Sequence, residues 1–128
     1  MSFTLEFPDS ELRDIVADGA VVRLRFSAAA VRDADGERGW LPAVLLTLSD
    51  ATLAGEAAHA FGKIAEGGVR LNGWLVARLE LPATLAGELE LALRFANGTH
   101  LTARGRALSL SVAAQPARRR RRSMLRLP

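Results

Sequence analysis

The chain contains no cysteine and no tyrosine, one lysine (Lys63) and two histidines, His59 and His100. Without cysteine there is no disulfide, no thiol nucleophile and no thiolate metal site. The histidines lie on separate segments without His-x-x-x-His spacing, so an imidazole site would need both to converge with carboxylates such as Asp33 or Asp35. Surface or turn positions are the simpler reading. No stretch approaches the ~18 apolar residues of a membrane span, and Met1 to Phe7 lacks the basic and apolar regions of a secretory signal. A cytoplasmic location is the expectation. No Gly-x-Ser-x-Gly elbow surrounds Ser10, Ser27, Ser49, Ser109 or Ser111, and no phosphate-cradling glycine motif occurs. No catalytic residue, metal or cofactor is therefore expected.

What is abundant is alanine, leucine and arginine, a composition typical of a bacterial genome rich in GC. The 128 residues suffice for one domain that buries roughly two thirds of its unfolded surface. The formal charge of +3 conceals a division. Arg118, Arg119, Arg120, Arg121, Arg122 and Arg126 carry six positive charges with no acid among them, which leaves 11 basic groups against 14 acids in residues 1–117. The body is acidic by about three charges, so the high isoelectric point describes the C-terminal segment. A β domain over 1–115 and a disordered Arg-rich tail over 116–128 are expected.

Residues Glu88 to Val112 read as a β-hairpin. Leu89, Leu91, Leu93 and Phe95 alternate with Glu88, Glu90, Ala92 and Arg94, and Asn97-Gly98 turns the chain. A two-residue loop would set Leu91 opposite Arg104. A three-residue loop, Ala96-Asn97-Gly98 with Gly98 left-handed, instead pairs Leu93 with Leu101, Leu91 with Ala103 and Leu89 with Gly105. The same register sets Glu90 against Arg104 and Glu88 against Arg106. Apolar alternation after Ala107 is offset by one, which predicts a bulge near Arg106 or Ala107. The small residues Ala103, Gly105 and Ala107 suggest close approach by another element.

Elsewhere, Thr4 to Phe7 reads as a short strand ended by Pro8. Asp9 to Asp18 reads as strand before an Asp18-Gly19 turn, with the helical spacing of Leu12, Ile15 and Val16 as the competing reading. Val22, Leu24 and Phe26 mark a further strand, Arg32 to Gly39 a polar loop, and Trp40 to Leu53 one long β run. Asp33-Ala34-Asp35-Gly36-Glu37 shares acids and a glycine with a calcium loop but lacks its distal glutamate and flanking helices, so it reads as a turn. Gly55 to Gly68 has helical composition, which predicts a short helix near 56–66. Val69 to Leu81 returns to strand around Asn72-Gly73, and Ala83 to Gly87 is a connection. Six to seven strands joined by short loops give an all-β domain, an antiparallel sandwich or small barrel.

Phe7-Pro8-Asp9-Ser10-Glu11-Leu12, followed by Asp18-Gly19 and the strand Val22 to Phe26, resembles the start of small bacterial proteins of unknown function. Those proteins open with an Asp-(Ser or Ala)-x-Leu element and continue as β meanders. The resemblance is confined to the N-terminal end and implies an all-β fold without a functional residue to carry over. The histidine that precedes the aspartate in that pattern is Pro8 here.

Three functional classes remain. A well-specified β core without a catalytic constellation points to a domain acting through protein contacts or self-association, with an exposed strand edge as one route. Trp40 and Trp74 are candidate stacking platforms for a carbohydrate or other small ligand, against the alternative that they seal the ends of the core. The arginines of the tail are candidates for binding nucleic acid or an anionic surface, although no aromatic residue stands among them for base stacking.

Overall fold

Period-two apolar patterning produces ten β-strands among the described residues of the computed structural model, which are 3–56 and 59–112. They are β1 (Phe3–Asp18), β2 (Val21–Arg32), β3 (Arg38–Leu41), β4 (Val44–Ser49), β5 (Thr52–Gly55), β6 (Gly62–Leu71), β7 (Trp74–Leu75), β8 (Leu79–Leu81), β9 (Ala83–Phe95) and β10 (His100–Val112). Six of them close into an antiparallel barrel in the order β2, β4, β10, β9, β6, β1 and back to β2. Strands β3, β5, β7 and β8 are added on its rims.

Inward-facing side chains from every barrel strand fill the interior. Leu12, Leu24, Leu46, Ile64, Leu91 and Leu108 are all buried, with Phe95 the largest fully buried side chain. Each burial of this kind is worth about 1.5–3 kcal/mol relative to exposure. The closed, filled barrel fits the all-β expectation.

The β9–β10 hairpin adopts the register that its alternation predicts: Leu93 opposite Leu101, Leu91 opposite Ala103, Leu89 opposite Gly105. Phe95 N–H donates to the Thr99 carbonyl at 2.9 Å, and Gly98 takes φ +90°, completing the three-residue loop. Beyond Gly105 the ladder shifts, so that Gly87 and Glu88 together face Arg106. The expected pairing of Glu88 with Arg106 is therefore absent. Glu88 N–H instead donates to Asn72 Oδ1 at 2.9 Å. The element that approaches the small residues is β4, since a Cβ added at Gly105 would lie 2.7 Å from the Ser49 carbonyl oxygen.

Four other expectations are corrected. Among the described residues the helix expected near 56–66 is replaced from Gly62 onward by β6, which carries Ile64 and Val69 into the core beside β9. Tertiary burial outweighs the helical propensity of the neighbouring alanines. Pro8 does not end a strand, since β1 passes through it. Trp40 to Leu53 is broken twice, at Pro42-Ala43 and Asp50-Ala51, where Ala43 and Asp50 take positive φ. Ala83 to Gly87 belongs to β9. The Asp33–Glu37 segment is the turn its residues suggest, with Asp33 Oδ1 accepting from Asp35 N–H and Glu37 N–H at 2.9 Å each. The expected tail over 116–128, with Arg118 to Arg122 and Arg126, lies outside the described residues.

Candidate functional site

The barrel closes least completely between β1 and β6, where only Glu11 pairs with Lys63 and Leu12 with Gly62. The cause lies in β1. Between Glu6, paired with Ala30, and Glu11, paired with Ala28, the four residues Phe7 to Ser10 face the single residue Ala29. Such an insertion bends a strand and re-aims its side chains.

Ser10 holds the insertion in shape. Its side chain is fully buried, its hydroxyl donates to the Glu6 carbonyl at 2.6 Å, and its Oγ accepts from Ala30 N–H at 2.8 Å. The hydroxyl thus substitutes for the ladder bonds that the insertion removes. Asp9 takes φ +73°, a left-handed conformation disfavoured for a residue with a Cβ. Strain of this kind persists where surrounding structure enforces it.

The left-handed turn aims the Asp9 carboxylate at two cations, Arg38 Nη2 at 2.9 Å and Lys63 Nζ at 3.3 Å. The Arg38 hydrogen bond, joined by that of Lys63, holds the Asp9 carboxyl below its ordinary value. The same contact raises Arg38. Glu6 extends the network, accepting from Arg32 Nε at 2.6 Å and lying 3.4 Å from Arg38 Nε. Arg38 also lies over the Trp40 ring, 5.8 Å from its centroid, within the range of a cation–π contact. Trp40 remains 56% exposed.

Two grooves flank this cluster. On one side Asp9, Glu11, Ala28, Trp40 and Lys63 surround about 350 Å³. On the other, Phe7, Pro8, Arg38, Gly68, Leu75 and Val76 are among the residues around a groove of about 400 Å³ that runs along the incomplete β1–β6 seam. Glycine is required in that seam, since a Cβ at Gly67 would lie 2.9 Å from Phe7 Cβ.

The sequence-predicted aromatic residues separate here. Trp40 borders the first groove. Trp74, 80% exposed, lines neither, whereas its neighbour Leu75, 63% exposed, lines the second. Neither tryptophan seals the core. Pro8, Asp9, Arg38 and Lys63 were not singled out by the sequence reading of sites, and the one available signal was a proline followed by acids inside apolar alternation. His59 and His100 are exposed. Among the described residues no group of three or more histidine, aspartate or glutamate side chains could hold a metal ion. Nor is any helix there long and apolar enough to cross a membrane.

A third groove, of about 400 Å³, lies where Arg70, Arg104 and Arg106 mix with Asp50, Glu88 and Glu90. Its charges balance and no exposed aromatic borders it. Taken together, these elements form a small filled β-barrel with two external grooves beside the strained seam. No family model, curated protein or solved structure matches this chain.

Proposed function

We propose that this chain is a non-enzymatic binding domain that acts through protein contacts, including self-association, and that its working face is the β1–β6 seam around Pro8 and Asp9. The observation that carries this reading is the seam groove itself. Apolar Pro8, Leu75 and Val76 line it together with Arg38, whose guanidinium lies over the half-exposed Trp40. Tryptophan and arginine at the edge of an apolar depression are the residue types that dominate protein interfaces energetically. The filled interior directs binding to the outside of the barrel.

Sedimentation velocity of the full chain across a concentration series tests it. Wild-type protein is expected to self-associate, and Trp40→Ala and Leu75→Ser are each expected to weaken association about tenfold or more, the effect of a residue worth over 1 kcal/mol. A chain that stays monomeric throughout the series contradicts self-association, and intact association in both variants contradicts the choice of face.

The Trp40 groove supports a second reading, a small polar ligand such as a saccharide. Its aromatic face stands beside Asp9, Glu11 and Lys63, a combination of one flat apolar surface and convergent polar groups. In a Trp74→Phe variant only Trp40 fluoresces. A saccharide panel that shifts its emission supports this reading, and a panel without effect removes it.

A further inference from the structure

The second half of β1 has an edge that the barrel does not use. Strand β6 pairs with β1 only at Glu11 and Leu12, and β2 alone accompanies it from Asp14 to Asp18. Gly62, at φ +87°, turns the chain at the start of β6, and the backbone bonds just before it stay local, Phe61 N–H donating to the His59 carbonyl and His59 N–H to that of Glu56. Among the described residues no other strand pairs with Asp14 to Asp18 and no loop backbone bond reaches them. Val16, Ala17 and Asp18 are exposed.

The β1–β2 ladder fixes which groups line this edge. Gly19-Ala20 is a two-residue hairpin loop, so Asp18 and Val21 form a bonded pair, and bonded pairs alternate from there with pairs whose N–H and C=O point away from each other. Val16 opposite Arg23 is bonded, while Ala17 opposite Val22 and Ile15 opposite Leu24 are not. Val22 and Leu24 direct their backbone groups to β4, where they face Leu48 and Leu46. Ile15 and Ala17 therefore direct theirs away from the barrel, and no proline or lysine blunts the segment. Its free charges sit at opposite ends. Arg13 and Asp18 are both exposed, and neither is in an ion pair among the described residues.

We infer that this edge pairs antiparallel with the same edge of a second copy, about a two-fold axis at Val16. Ile15 then faces the second copy's Ala17, and each such pair exchanges both backbone bonds. Val16, 37% exposed, meets its own counterpart in the closer, non-bonded kind of pair. Asp14 falls opposite the second copy's Asp18, but its carboxylate is already held by Arg25 Nε and Nη2. Arg13, one residue along, is left to meet that Asp18. A strand with a base at one end and an acid at the other is complementary to itself only when antiparallel, which is what a two-fold axis imposes. Pro8 and Asp9 lie beyond the pairing of Glu11 with Lys63, so this contact adds to whatever the seam binds and does not rest on it.

Amide hydrogen exchange of the full chain at increasing protein concentration tests it. Ile15 and Ala17 amides are expected to slow about tenfold or more as concentration rises, while Val16 and Arg23, bonded to each other within the chain, stay equally protected throughout. R13D and D18R are each expected to lose that slowing, because like charges then meet at both ends of the pairing. Mixing isotope-labelled R13D with unlabelled D18R restores it in the labelled chain, since unlike charges meet again. Protection of Val16 and Arg23 reports that each variant is folded. Should a variant not fold, the concentration dependence of the wild-type chain decides alone. Free exchange of Ile15 and Ala17 at every concentration overturns the inference, as does protection that does not change with concentration, which would mean that the chain covers its own edge. Folded variants that behave like wild type, or a mixture that restores nothing, overturn it too. Association that protects Trp40 and Leu75 but leaves Ile15 and Ala17 free ends this inference and leaves the seam reading standing.

Discussion

The two sides of this barrel obey different rules. Strands β9 and β10 form a ladder with a single shift, beyond Gly105, in which apolar residues face in and charged residues face out. Strand β1 instead accumulates irregularities, an insertion at Phe7 to Ser10 and two smaller shifts near Leu12. Regularity on the first side comes from side-chain burial, which any slip would undo. On the second side a buried hydroxyl and a cluster of ion pairs hold the chain in a conformation that burial alone does not select. Both sides bury apolar residues in the one core, but the exposed tryptophan, the strained aspartate and both flanking grooves lie beside the irregular strand.

Breaking each side should separate these roles. Leu91→Ala, in the ladder, is expected to cost about 2–5 kcal/mol by leaving a cavity in the filled barrel, measured by denaturant unfolding. Association normalised to the folded fraction should not change. Ser10→Ala is expected to cost about 1–3 kcal/mol, because it leaves the buried Ala30 N–H without a partner. Unlike Leu91→Ala, it should also weaken association, since it frees the insertion.

Asp9 gives a finer separation. Asp9→Gly is expected to raise the melting temperature by a few degrees relative to Asp9→Ala, because glycine tolerates the left-handed conformation. Both substitutions lose the contacts to Arg38 and Lys63 and should associate less than wild type. The acid limb carries a related signature. With its folded value held below the ordinary 3.8, Asp9 contributes stability that is present above that pH and lost as pH falls through the lowered folded value. Asp14, bonded by Arg25, and Glu66, bonded by Arg94, act in the same direction. Asp9→Asn should therefore lose less stability than wild type as the medium is acidified below pH 4, read by circular dichroism. The smallest effect is expected from the Glu90–Arg104 pair on the ladder's outer face, 3.4 Å apart and solvent-exposed. A double-mutant cycle should give no more than ~1 kcal/mol of coupling.

How much of this was legible in the sequence follows the same division. The register of β9 and β10 was readable because two periodicities and a turn motif agree on one solution. The position of the ladder shift near Arg106 was readable from the change of apolar phase, although its consequence, the loss of the Glu88–Arg106 pairing, was not. On the other side the local signals misled. Pro8 suggests a strand end, yet no ladder N–H is needed inside an insertion, so proline fits there. The alanines near residue 60 favour a helix, but Ile64 and Val69 are worth more in the barrel interior than propensity is worth outside it. The role of Ser10 was invisible, since nothing in the sequence distinguishes a serine that repairs a ladder from one that faces solvent. Trp40 and Trp74 were recognised as unusual, whereas Asp9, Arg38 and Lys63 converge from three strands whose order the sequence does not encode locally.

The most direct test of the seam as the working face is to follow backbone amide chemical shifts of the full chain as its concentration is raised. Progressive changes are expected at Phe7, Asp9, Arg38, Trp40, Gly68 and Leu75, with Glu90, Thr102 and Ser109 on the ladder unmoved. Changes centred on β9 and β10, with a silent seam, would contradict the assignment of binding to the irregular side of the barrel.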